Sequence, residues 1–546
     1  MPLFDRSLTE KTNPFSRMRG KKWLRQFAND EDGAIVGFAI FLFLIILMVG
    51  GIGIDIMQSE MKRTRLQHTI DRSILAAADL DQERQPSDVV QDYFSKSGVS
   101  DYLSSVTVTE SQHSRLVEAR ADYTMKTDFM KLVGIDKLEL AASGAAEESI
   151  GAVEISLVLD VSGSMRNNQR LDNLKIAAKD FVSELLQGSD PGTISISIIP
   201  YATQVNAGED LLKYYNVSSE HNYSHCVNFV ADEFSKPNLS TTWPLERTAH
   251  FDPFSYSEGE ITIPVCPVRA STAILPFQDD ISALHAYIEG MTAQGNTSID
   301  LGVKWGAVML DPGTRTVITE LIGENLVSSS FADRPVDYSN DRVLKIAIVM
   351  SDGYNTDQYM LNPSLREGYS DVWYNAERGN YSVFHSNGTP MYYWTHDDTW
   401  NDHPYGNGTE KVCSTDSNGI ENCNTEDEPG EAIRLTYQEL FDRASLAWIA
   451  EYIYEFSSSA WADWYTSAFA KKETAAKNQQ TKHICDAIKD EGVFVYTIGF
   501  EAPRKGQAVL EDCASTPNHF FEADGAEIGD AFSAIAVSIR QLKLIQ

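Results

Sequence analysis

VEISLVLDVSGSM (153–165) runs from an apolar, β-branched stretch into an acid, Asp160, and then into two serines at alternate positions, Ser162 and Ser164. An apolar run of this length, bounded by a polar turn, reads as a strand buried on both faces. Helices and further strands alternate downstream of it. LDNLKIAAKDFVSELLQ (171–187) has helical spacing; Gly192 opens the strand TISISIIP and Pro200 closes it; helices around 279–290 and 298–310 precede the strand LKIAIVMSD (344–352). VFVYTIGF (493–500) comes after a helix ending in HICDAIKDEG, and HFFEA leads into the helical EIGDAFSAIAVSIRQLKLI. Short apolar strands alternating with helices predict an α/β fold, a mostly parallel, doubly wound sheet covered on both faces.

In open sheets of this kind ligands sit in the crevice beyond the carboxyl ends of the strands. Asp160 falls there, with Ser162 and Ser164 just after it. A second acid, Asp352, ends the strand KIAIVM in MSDG, and Thr297 in AQGNTSID opens a helix. Small hydroxyls and carboxylates converging on one point suit a hard divalent cation, Mg²⁺ or Mn²⁺, which takes oxygen ligands and keeps some of its water.

Two stretches interrupt the α/β pattern. Residues 203–270 and 356–430 are rich in Asn, Asp, Ser, Tyr, Trp and Pro, show no periodicity and hold four of the six cysteines. They are expected as large insertions in one domain spanning 151–546, and their aromatic content argues against disorder.

The N-terminal part is different. Residues 1–32 are polar and mixed in charge; 33–54, GAIVGFAIFLFLIILMVGGIGI, carries no charge at all. That length crosses a bilayer core as a helix, whereas a secretory signal has a shorter apolar region with a cleavage site close behind. Lys11, Arg17, Arg19, Lys21, Lys22 and Arg25 precede the run, which predicts a cytoplasmic N-terminus. Beyond it, DIMQSEMKRTRLQHTIDRSILAAADL keeps helical spacing until Gln85-Pro86, and from Val106 to about Ala145 the period becomes two. Residues 55–150 therefore predict a helix followed by a small β module.

Composition narrows the function class. The net charge of −33 repels nucleic acid, and no basic stripe answers it. All six cysteines lie after the apolar run, none in a zinc-type CxxC, as befits an exported region where disulfides persist. Of the 15 possible connectivities, proximity favours 226–266, 413–423 and 485–513. No phosphate-binding loop, zinc-protease or nucleophile-elbow motif occurs in the required surroundings.

D-x-S-x-S at Asp160, Ser162 and Ser164, with Thr297 ahead of a helix and Asp352 in a strand-end S-D-G, resembles the metal-dependent adhesion site (MIDAS) of von Willebrand factor A (VWA) domains. The resemblance implies a Rossmann-like VWA fold in which Ser162 and Ser164 ligate through their hydroxyls, and Thr297 directly or through water. Asp160 and Asp352 then hold first-shell waters, and the sixth position is left for a partner's carboxylate. DEDGAIVGFAIFLFLIILMVGGIGIDI, RTRLQHTIDRSILAAADLDQ and the closing VFVYTIGF…LEDCASTPNHFFEA…IGDAFSAIAVSIRQLKL together resemble the TadG-type proteins of Tad (tight adherence, Flp-type) pilus assembly. Cleavable prepilins carry Gly before the cut and Glu five residues after it; counted from Gly33, that position is Phe38.

The expectation is a non-enzymatic, single-pass protein of the bacterial inner membrane. Its C-terminal domain is periplasmic or cell-surface and binds protein partners, other Tad pilus components, through an acidic ligand residue. A pilus-independent surface adhesin remains the alternative. So does a metal-assisted hydrolase, which would need a general base beside the cation.

Overall fold

The computed structural model describes residues 34–545 except 80, 81, 83, 111–113, 150, 260, 341, 387, 388, 416–418 and 420. The expected cytoplasmic segment 1–32 lies outside the described residues. The chain divides into two units, 1–149 and 150–546.

In the first unit a single helix, Ala34–Ala78, carries the apolar run and continues past it. Its N-terminal part is long and apolar enough to cross a membrane, with mean hydropathy 3.0 over its most apolar stretch; an anchor and a signal sequence both have this character. Leu66, Ile70, Ile74 and Ala77, at helical spacing, are buried against Val117, Ala119, Ala121 and Ala142 of an antiparallel sheet. That sheet is formed by Leu103–Glu110, Ser114–Lys126 and Lys137–Ser149, in sequence order. Pro86 breaks the sequence pattern but also begins a helix, Pro86–Lys96, where its missing N–H costs nothing.

In the second unit six strands form one sheet, in the order Phe520–Ala523, Phe494–Phe500, Val343–Ser351, Ala152–Asp160, Ile194–Tyr201 and Leu275–Gln278. All pairings are parallel except that of the last strand. Side chains alternate between two cores. Ile346, Ile348 and Met350 face the helices Arg170–Leu186 and Ile528–Ile545, while Ala347 and Val349 face Ile299–Leu310 and Thr474–Asp490. Ile299–Leu310 is buried along its whole length. It lies close on the sheet because Gly302 and Gly306 face it: a Cβ at Gly302 would stand 2.7 Å from the Tyr201 ring, and one at Gly306 2.7 Å from Val158.

Two expectations need correction. Pro200 lies inside the strand Ile194–Tyr201 and does not close it. The edge partner pairs only as far as Ile198, so the missing N–H falls where that ladder has ended. The stretch 356–430 is folded and not a long loop, and its unit extends to 472. Gln358–Leu361 and Phe469–Lys472 pair as a stem. Between them lies a five-stranded antiparallel sheet, Thr399–Asn401, Pro390–Trp394, Asn380–Ser386, Tyr369–Asn375 and Ala432–Thr436. The stretch 203–270 is, as its aperiodic and aromatic sequence suggests, mainly irregular and ordered by packing: Phe229 and Phe234 enter the main core, and Phe251 and Val265 enter the core of the 358–472 insert.

All six cysteines pair as proximity predicts: Cys226–Cys266, Cys413–Cys423 and Cys485–Cys513.

Candidate metal centre

At the carboxyl edge of the central sheet three loops meet. The 160–165 loop touches the 294–297 loop through backbone bonds, Gly163 N–H to Gly295 O at 2.8 Å and Gln294 N–H to Val161 O at 2.9 Å. The 351–353 loop joins them through side chains. Ser164 Oγ donates to Asp352 Oδ1 at 2.7 Å and lies 3.1 Å from Ser162 Oγ. Asp160 is held from both sides: Oδ1 accepts the Ser162 N–H at 2.8 Å, and Oδ2 accepts the Ser351 hydroxyl at 2.7 Å.

Asp160, Ser162, Ser164 and Asp352 thus form one hydrogen-bonded group. Thr297 stands beside it, its hydroxyl 3.8 Å from where a Cβ would sit on Gly353. Its backbone is pinned: the carbonyl accepts from Thr356 N–H at 3.0 Å and Lys477 Nζ at 3.1 Å. Lys477 also donates to Ser298 Oγ and to Thr356 O, and lies 3.7 Å from the fully buried Asp300 carboxylate.

The electrostatics favour a cation. Burial, and then the charge of Asp352, push the Asp160 carboxyl well above the usual carboxylate range, against hydrogen bonds from Ser162 and Ser351 that lower it. Asp352 is also raised by burial, against hydrogen bonds from Ser164 and Arg170 that lower it. Two buried carboxylates therefore share the site with a single guanidinium, Arg170, whose Nη1 donates to Asp352 Oδ2 at 2.8 Å. Arg170 Nε is engaged elsewhere, by Glu501 at 2.8 Å. The donor set of three hydroxyls and two carboxylates is all oxygen, which fits a hard divalent ion. Charge compensation from such an ion would relieve the burial penalty on the two acids.

Sequence reading missed Ser351, Arg170, Glu501 and Lys477. Ser351 adjoins Asp352 and was visible in MSDG. Arg170 opens the helix after the serine turn, but its partner Glu501 lies 331 residues away. Nothing local marks Lys477 as buried. Among the described residues, the one cluster of three His, Cys, Asp or Glu ligands is Cys413, Glu421 and Cys423, and its sulfurs are already joined in a disulfide.

No curated protein matches the chain. Among solved structures, the chain is similar to the vWF domain of the type V pili tip protein Mfa5 from Porphyromonas gingivalis, at 14% identity over 72% of this chain and 97% of that one, with a TM-score of 0.31. The adhesive tip pilin GBS104 from Group B Streptococcus agalactiae matches at 10% identity, covering 71% and 100%, with a TM-score of 0.28. Proximal thread matrix protein 1 from the mussel byssus, with a zinc-occupied MIDAS motif, matches at 12% identity, covering 72% of this chain and 46% of that one, with a TM-score of 0.25. In sequence, the segment 33–80 matches the Tad family, Flp pilus-assembly TadE/G-like.

Proposed function

We propose that the chain is a membrane-anchored, non-enzymatic component of a Tad/Flp-type pilus system that binds a partner's carboxylate through a divalent cation, Mg²⁺ or Mn²⁺. In this reading residues 151–546 form a VWA domain with insertions, and 55–150 a small pilin-like module. The 33–54 helix holds both outside the bacterial inner membrane. Ser162, Ser164 and Thr297 offer hydroxyls to the cation, and Asp160 and Asp352 hold its waters. Carboxylates kept one step back from the cation leave it short of negative charge, so it seeks an acid from outside.

The observation that carries this reading is the convergence of the 160–165, 294–297 and 351–353 loops. They bring two buried carboxylates and the serine hydroxyls into one hydrogen-bonded group at a sheet's carboxyl edge. The Tad match of 33–80 supports the pilus setting. The test is capture of envelope proteins by the full chain in detergent, with Mg²⁺ or with EDTA. A partner retained in Mg²⁺, released by EDTA and not captured by Asp352→Ala is expected. Retention indifferent to both changes would refute the cation bridge.

A further inference from the structure

The loop TDFMKLVGID (127–136) joins the second and third strands of the N-terminal sheet. It is tightly made. Thr127 N–H donates to Asp136 O and Ile135 N–H to Met130 O, both at 3.1 Å, and Gly134 turns the chain with φ +86°. It is also clamped to the long helix. The Asp55 carboxylate accepts the N–H groups of Asp128, Phe129 and Met130 at 3.1, 2.8 and 2.7 Å. Against the desolvation of burial, these bonds hold its carboxyl below the usual range. The Phe129 ring lies on Gly51, where a Cβ would stand 2.4 Å from two ring carbons.

With the loop fixed in this way, three apolar side chains point outward: Leu132 is 64% exposed, Val133 48% and Ile135 41%. On the helix nearby, Ile56 and Met57 are 49% and 60% exposed. Both signs of charge stand here, with Lys131 in the loop and Lys137 just after it against Asp128 and Asp136, so the apolar tip and not the net charge is the distinguishing feature. Its position indicates what covers that tip. Asp55 directly follows the apolar run, and Gly51 lies three residues inside it, about 5 Å at the rise of a helix. The clamp therefore sits where the run leaves the hydrocarbon.

We infer that Leu132, Val133 and Ile135 insert into the interfacial layer of the bilayer, so that the N-terminal unit meets the membrane at two points. This rests on the reading of 33–54 as a membrane-spanning helix. Apolar side chains enter the headgroup boundary, while the lysines beside them extend their ammonium groups to lipid phosphates.

All six native cysteines are disulfide-bonded, so an introduced cysteine is the single free thiol. The full chain, reconstituted in phosphatidylcholine–phosphatidylglycerol vesicles, is labelled with an environment-sensitive fluorophore at Leu132→Cys, Ile46→Cys or Glu118→Cys and quenched by nitroxide lipids. Glu118 is exposed and pairs with Ala145, beside the level of Ile70 and Ile74, about 25 Å along the helix from Asp55. Labels at 46 and 132 should be quenched at least about two-fold more than the label at 118, and adding Val133→Asp and Ile135→Asp should release the label at 132. Quenching at 46 but not at 132 would overturn the docking and leave the anchor standing. Absence of quenching at 46 would remove the anchor and the docking with it.

Discussion

The loops at the carboxyl edge of the central sheet and the inserted sheet at 369–436 are held by opposite means. In the loops nearly every polar atom is committed to a definite partner: Asp160 to Ser162 and Ser351, Asp352 to Ser164 and Arg170, the Thr297 carbonyl to Thr356 and Lys477. In the insert, aromatic rings do the joining. Trp373 meets Tyr392 at 5.1 Å on one face, and Tyr393 meets Phe456 at 4.8 Å elsewhere in it. Directional bonds fix a few atoms to within tenths of an ångström, as a cation site requires. Ring packing fixes a surface and tolerates exchange.

Lys477, in the first turn of the helix that follows the insert's stem, ties the Thr297 loop to Thr356 just ahead of that stem, and breaking this tie should have the largest effect. Lys477→Met removes three hydrogen bonds and leaves the buried Asp300 without its cation, which should cost about 3–5 kcal/mol in denaturant unfolding of the full chain. Lys477→Met with Asp300→Asn should recover part of the loss. A single variant as stable as wild type would mean the pair does not brace the Thr297 loop.

Next in size are the disulfides. Cys485 and Cys513 are fully buried between helices of the main core, and replacing both by Ser should cost about 3–4 kcal/mol. Cys413 and Cys423 bridge an exposed hairpin, so the same change there should leave the main unfolding transition in place, because the hairpin opens locally. Equal losses from the two pairs would show that the insert and the central sheet unfold as one.

These contrasts explain which parts of the molecule are legible in its sequence. Strands such as 344–352 are buried on both faces and announce themselves as apolar runs. The acids and serines stand at their ends, within a few residues of a recognisable turn. The insert escaped because its strands carry large side chains on both faces: in YSDVWYN, Trp373 faces Tyr392 while its neighbour Tyr374 meets Tyr381. No two-residue period survives that arrangement. Arg170 with Glu501, and Lys477 with Thr297, depend on contacts across 331 and 180 residues, which no local spacing can display.

The smallest effect belongs to pH. His403 in the insert lies 2.7 Å from Glu428 and 2.6 Å from Asp402, and against the burial that lowers it these carboxylates hold its imidazole above the usual value. A raised folded pKa gives stability that is complete below the unfolded value and lost as pH rises through the folded one. His403→Gln should therefore loosen the 403–408 segment more at pH 6 than at pH 8.5, by roughly 1 kcal/mol or less, in hydrogen exchange corrected for intrinsic rates. Equal loosening at the two pH values would mean that the two carboxylates do not hold the His403 proton.

The central claim is that Asp160, Ser162, Ser164, Thr297 and Asp352 hold a divalent cation. Isothermal titration of Mg²⁺ and Mn²⁺ into the full chain in detergent tests it most directly, with circular dichroism and thermal unfolding as the fold control. Asp352→Ala should weaken binding on the order of 100-fold, and Ser162→Ala, which removes a neutral donor, about 10-fold. The fold should persist in both: Arg170 keeps Glu501, and Asp160 loses a repulsive neighbour. A folded Asp352→Ala protein that binds Mg²⁺ and Mn²⁺ as tightly as wild type would contradict the metal site and the adhesion mechanism built on it.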